Sequence, residues 1–400
     1  MSGPLSGVTV VELCSALSGP FATKLLGDLG ADVVKVEDVD GGAPDRTRKL
    51  PWDRHGNPEF TWRFLNYNTS KRSLALDLTA EEGRSAFVRL VDDADVLVEN
   101  MRPGVMEALG LPPGDLHDRN PELIYCSIKG FGEGGPYADL PAVDTTVQAV
   151  SGFATQVDVE SAGPMSSGVL VVDMATGAYA AFSVAAALFE RHGSDEGQRV
   201  DVSMLDAAVS LLGHQLAEYT AGRHHGFDPD YGPNFAPNGY FETADGTLGL
   251  LILDDHWSGF CEAMGVPEWA DPGHEYATNE RRLERREGLR ADLTALLEER
   301  TVEEWMDYFA DRDEVILAGP VREVDEMVSD PQVRAQAAVQ RRDHHVMGEY
   351  YTPGVVPRFS RTAGSLSDAP ALGEDTATVL SELGYDEATI DRLIDEGTAR

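Results

Sequence analysis

Between residues 8 and 203, short apolar runs alternate with segments of helical periodicity, and this alternation restricts the chain to an α/β sheet. Residues 8–13 form the first run. Ser18-Gly19-Pro20 follows, then a helix with Ala22, Leu25, Leu26 and Leu29 on one face. Residues 31–37 are a second apolar run, so the first forty residues read as a βαβ unit with parallel strands. Strands at 74–78, 96–98, 123–128 and 197–203 and helices at 80–91 and 204–219 continue the pattern. Strands this apolar belong to a sheet covered on both faces. Gly19, Gly27 and Gly30 lack the G-x-G-x-x-G spacing, which argues against an ordinary dehydrogenase.

Within this pattern, residues 169–189 place one ionisable side chain at a junction. Residues 169–172 read as a buried strand, and Asp173 then opens a long Gly- and Ala-rich helix. Strand ends are where open α/β sheets bind ligands. On the residues alone, a helix cap is the ordinary reading of such an aspartate. Glu37, Asp77, Asn100 and Lys129 end other strands and converge with Asp173 on one sheet edge if the sheet is parallel.

Residues 38–68 read as an irregular loop carrying Trp52, Phe60, Trp62 and Phe64. Composition shifts near residue 222, where Gly, His, Asp and Pro accumulate. The expected organisation is a large domain over 1–222, a smaller α+β domain with linkers over 223–325, and a return to the large domain over 326–400. Residues 240–253 read as a hairpin turning at Asp245-Gly246.

The charge is extreme, with 69 acidic against 32 basic residues and a formal net of -37. Only five of the basic residues are lysines, and the acids are spread rather than gathered in a tail. Such a surface suits molar salt and makes nucleic acid and anionic membranes poor partners. Cys14, Cys126 and Cys261 suggest neither a disulfide framework nor a zinc knuckle, and no H-E-x-x-H spacing accompanies His224-His225 or His344-His345. No metal is expected. No leader and no run of 18 uninterrupted apolar residues is seen, which leads to the expectation of a soluble, cytoplasmic protein.

The stretches PLSGVTVVEL, LGDLGADVVKVE, NTSKRSLALDL, DVLVENMRPG, IYCSIKGFGEGGPYAD, VDMATGAYAA and GQRVDVSMLDA, in this order, resemble the family III CoA-transferases. These are the formyl-CoA-transferase-like enzymes, a group that also holds the α-methylacyl-CoA racemases. The resemblance implies a Rossmann-like large domain, a smaller domain, and an interlocked homodimer of ring-shaped subunits. It places Asp173 on the catalytic aspartate. It also places Leu76, Asp77, Leu78, Thr79, Asn100, Met101, Arg102 and Asp144 among positions that line the CoA site. Lys129 is a further candidate there, since the chain otherwise avoids lysine.

Two departures from the family pattern matter. Asp38 stands where formyl-CoA-type transferases carry a basic residue, leaving Arg46, Arg48 or Arg72 to hold the CoA 3′-phosphate. Val143 stands where racemases carry a histidine, which removes one base of a two-base proton exchange. Asp144 could also cap the helix that follows it.

The resulting expectation is CoA transfer from an acyl-CoA, succinyl-CoA by metabolic plausibility, to a small dicarboxylate such as mesaconate or citramalate. Asp173 would act as nucleophile through anhydride and aspartyl-CoA thioester stages. Its helix N-terminus would keep it ionised, and a loop within 231–239 would close over it. CoA esters are then substrates, and no permanently bound cofactor is expected. Arg48, Arg102 and Lys129 are candidates for the dicarboxylate's second charge. An α-methylacyl-CoA racemase and a non-catalytic CoA-binding subunit are the rival readings.

Overall fold

The computed structural model describes residues 3–49, 57, 59–156, 165–222 and 235–400. The chain divides into two compact units, one comprising Met1–His224 and Ala335–Arg400, the other His225–Arg334.

The larger unit is built on six parallel strands, β1 (Thr9–Leu13), β2 (Asp32–Glu37), β3 (Arg72–Ala75), β4 (Val96–Glu99), β5 (Ile124–Lys129) and β6 (Arg199–Ser203). Their spatial order is β3-β2-β1-β4-β5-β6. Strand order therefore reverses between β1 and β4, the switch point at which doubly wound sheets bind ligands beyond the strand C-termini. The helices that matter below are α1 (Ser18–Asp28), α2 (Trp62–Tyr67), α3 (Glu81–Asp92), α4 (Asp144–Ser151), α5 (Val171–Ser194), α6 (Met204–Ser210) and α7 (Gly213–Thr220).

Strand alternation sorts the core into two layers. Val11, Val34, Leu74 and Leu97 pack with Phe87 and Leu90 of α3, whereas Val10, Val33, Val96 and Ile124 pack with Ala22 and Leu26 of α1 and Ala180 and Val184 of α5. The C-terminal segment joins the first layer through Val379, Leu380, Ile390 and Leu393. It is tied down by the Asp77 N–H, which donates to the Thr398 carbonyl at 2.9 Å.

A charged network lies inside this core. Glu12 accepts from Lys35 at 2.7 Å, Lys71 at 2.8 Å and Thr23 at 2.6 Å, all buried. Burial opposes its ionisation, but the two ammonium groups win and hold it down at about 2. Lys24, Lys35 and Lys71 are buried, Lys129 is nearly so, and Lys49 alone of the five lysines is exposed.

In two places the larger unit differs from expectation. The apolar run 169–172 is not a strand: Val169 is 65 % exposed and helix α5 begins at Val171. The segment expected to be an irregular loop ends in α2, whose first turn Thr61 caps by accepting from the Phe64 N–H at 2.9 Å.

The smaller unit carries an antiparallel sheet of β7 (Asn238–Glu242), β8 (Thr247–Leu251) and β9 (Leu317–Pro320). Its core joins Phe241, Leu248 and Leu250 to Trp257, Phe260, Leu293 and Trp305. The α/β expectation holds: a parallel sheet and a separate antiparallel one are both present.

Candidate active site

Asp173 is the third residue of α5, a helix with no side-chain cap at its own start. The missing cap comes from far along the chain. Asp144 Oδ2 accepts from the N–H groups of Val172 at 2.9 Å and Asp173 at 3.0 Å, and its Oδ1 accepts from Gln148 Nε2. Asp144 is only 3 % exposed, so both oxygens serve the interior. The cap expected on α4 falls instead on α5.

α1 meets α5 at the same point. A Cβ at Gly177 would lie 2.6 Å from the Ser18 carbonyl oxygen and 2.9 Å from the Phe21 ring, so only glycine allows this approach. It brings Ser18, the first residue of α1, beside the Asp173 carboxyl, where its hydroxyl favours the ionised form. α2 completes the cluster. Tyr67 meets Phe21 edge-on with ring centroids 6.2 Å apart, and the charge of Arg63 acts on both Asp173 and Tyr67.

Burial, and next the Asp144 carboxylate, push Asp173 up to about 7; Arg63 and Ser18 pull the other way without prevailing. Both effects oppose the ionisation expected from the helix terminus. The cap that orders α5 is itself an anion and opposes a second one beside it.

A second feature lies at the C-terminal edge of the sheet, an apolar crevice of about 200 Å³. Residues following β1, β2, β3 and β4 line it, among them Ser15, Asp38, Leu76, Leu78, Thr79 and Met101. Four of the expected CoA residues therefore meet in one crevice, and Asp38 stands at its rim.

Other expected residues are committed elsewhere. Asp77 accepts from the Thr79 N–H at 2.8 Å and the Thr79 hydroxyl at 2.6 Å, closing a turn. Asn100 bonds the Ser15 backbone in both directions, at 2.9 and 2.7 Å, which fixes the loop after β1 to the end of β4. Lys129 spends its donors on both Glu99 oxygens and the Met101 carbonyl. Arg102 and Arg48 are exposed.

Two of the 3′-phosphate candidates are excluded by position. Arg46 is buried, paired through two nitrogens with Glu37 at 2.8 and 2.7 Å and lying 3.9 Å from the centroid of the Phe64 ring. Arg72 starts β3, at the opposite edge of the sheet, where it pairs with Asp32 at 2.6 Å and Glu382 at 2.8 Å. Among the described residues no cluster of His, Cys, Asp or Glu could hold a metal. His224, His225 and residues 231–234 of the expected lid lie outside the described residues.

The family model for CoA-transferase family III matches residues 5–376. The chain belongs to that family. It is 35 % identical to a succinate–glutarate CoA-transferase of Agrobacterium fabrum over 397 residues, covering 96 % of this chain and 97 % of the relative. It is 32 % identical to the human succinyl-CoA:glutarate CoA-transferase over 401 residues, covering 98 % and 89 %. The crystal structure of a CAIB/BAIF family protein from Brucella suis superposes with a TM-score of 0.84 at 32 % identity, covering 96 % of this chain and all of that one. The protein is thus a CoA-transferase with CoA thioesters and carboxylic acids as its class of substrates, as the sequence reading expected.

The sequence reading did not single out Ser18, Arg63 or Gly177 for the site. No spacing marks them. The available hint for Arg63 was a lone cation among the aromatics just before β3.

Proposed function

We propose that the protein moves CoA from succinyl-CoA to a C4–C5 dicarboxylate with Asp173 as nucleophile. The placement of Asp173 carries this reading: a partly buried carboxyl beside Ser18, on a residue whose backbone N–H is held by Asp144, at the ligand-binding edge of the sheet. The names of the relatives favour a saturated acid such as glutarate over the mesaconate or citramalate first expected.

The ionised Asp173 attacks the thioester carbon, the C–S bond breaks, and CoA leaves as thiolate from a mixed anhydride. The thiolate attacks the aspartyl carbonyl, the donor acid leaves as carboxylate, and an aspartyl-CoA thioester remains. The acceptor carboxylate attacks this thioester to give a second anhydride. Returning thiolate cleaves it at the acceptor carbonyl, restoring the Asp173 carboxylate. No proton is gained or lost overall. The thioester's free energy stays in an activated acyl group throughout. The N-terminal end of α1 adjoins the reacting carboxyl and offers N–H groups to each oxyanion.

The apolar crevice, with Leu76, Leu78, Thr79 and Met101, would hold the CoA moiety, and Arg48 or Arg102 its phosphates. Val143, on the solvent side of α4, supplies no second base, which weighs against the racemase reading. Self-association is part of the proposal. Phe182 and Phe189 on α5 are 70 % and 84 % exposed, and Leu211, Leu216 and Tyr219 in and beside α6 and α7 are exposed too.

The test is a panel of acyl-CoA donors and free acids, read by mass for new CoA esters. Asp173→Ala should abolish ester formation while leaving the fold intact. Appreciable activity in that variant, or α-proton exchange without any acceptor, would sink the scheme.

A further inference from the structure

We propose that Arg63 selects the acid, its guanidinium taking the remote carboxylate of a dicarboxylate whose other end reacts at Asp173. This rests on the transferase reading above and names the residue that sets its substrate class. The Nε of Arg63 is buried and has no hydrogen-bond partner among the described residues. A buried guanidinium nitrogen left unpaired is costly unless a ligand completes it. Arg63 sits one turn before Tyr67 on α2, which packs on α1 beside Ser18 and Asp173.

Of the competing cations, Arg48 and Arg102 are exposed and three others are already paired. Lys129 is taken by Glu99 and Met101, Arg46 by Glu37, and Arg72 is at the far edge of the sheet. Among the described residues, Arg63 is the cation acting on Asp173, against the buried carboxylate of Asp144.

Charge balance gives the arginine its moment of use. Once Asp173 is acylated to a neutral thioester, Arg63 loses that counter-charge while the acceptor acid is binding. A planar fork suits a carboxylate in this role better than an ammonium would. A dianion entering beside Asp144 would otherwise meet that carboxylate's repulsion at its remote end.

The experiment compares glutarate with glutaramate, its uncharged-end isostere, as CoA acceptors. The wild type should prefer glutarate, and Arg63→Gln should cut that preference ratio about 100-fold, mainly through KM, as expected for loss of a charge-assisted pair. Arg63→Lys should recover part of it. An unchanged ratio in Arg63→Gln, or no preference in the wild type, overturns the assignment. Arg63→Met carries the same comparison if the Gln variant does not fold. If the wild type forms no CoA ester with any acid, the transferase reading has failed separately. Calorimetric titration of glutarate then decides: binding lost in Arg63→Gln supports the arginine's role, and equal binding overturns it.

Discussion

Asp173 and Asp144 are two carboxylates whose environments have pulled them into different tasks. One is saturated with N–H donors and orders a helix; the other is left with Ser18 and Arg63 and titrates near neutrality. Nucleophilic attack needs the ionised form, so kcat/KM should fall below pH about 7 as Asp173 gains its proton. The groups facing it are Asp144 from α4, Arg63 and Tyr67 from α2, and Ser18 from α1. Asp144→Asn keeps an acceptor for the two N–H groups but removes the charge, so its acidic limb should move to lower pH. A limb that stays in place would show that burial alone sets the value.

Stability responds in the opposite sense. The folded state holds this proton more tightly than the unfolded chain, so stability is lost as pH rises from the ordinary value of 3.8 through about 7. Asp173→Asn, which cannot ionise, should melt higher than wild type above pH 7 by on the order of 1–3 kcal/mol, with the gap closing near pH 4.

At the scale of elements, the α1–α5 crossing is what positions the nucleophile. Gly177→Val would push the Ser18 carbonyl away from α5 and carry its hydroxyl off Asp173. Transfer should drop by about two orders of magnitude, in kcat more than KM, since ångström misplacement of a reacting group costs that much. An unaffected kcat would mean Ser18 contributes nothing. The βαβ start was legible because Val10, Val33 and their neighbours alternate between two buried layers, leaving a clear strand pattern. Residues 169–172 misled because β-branched residues have strand composition wherever they fall. Here the apolar character belongs to an exposed stretch and the first turn of a helix, and the cap that fixes that turn comes from Asp144, 28 residues before Val172. Arg63 and Ser18 were illegible for a related reason. Their roles arise from helix packing, which leaves no periodic trace in the chain.

For the whole molecule, the exposed apolar face of α5 bears on assembly. If the proposed self-association uses this face, Phe182→Glu with Phe189→Glu should lower the mass read by light scattering; an unchanged mass would place the interface elsewhere. α5 is also the one helix among the described residues long and apolar enough to cross a membrane, yet its Ala180, Ala181, Val184 and Ala187 pack against α1 and the sheet.

The placement of the lysines has a chemical consequence. Thioesters acylate any free amine they meet, so an enzyme that works among them is exposed to damage by its own substrate. Here Lys24, Lys35 and Lys71 are interior and paired with carboxylates, Lys129 is locked to Glu99, and apart from Lys49 arginine supplies the cations outside. Mass spectrometry after prolonged incubation with succinyl-CoA should find lysine succinylation at the exposed Lys49 ahead of the four lysines that are buried or nearly so. Modification at Lys71, whose buried ammonium is pushed down to about 8, would show that the core opens on that timescale.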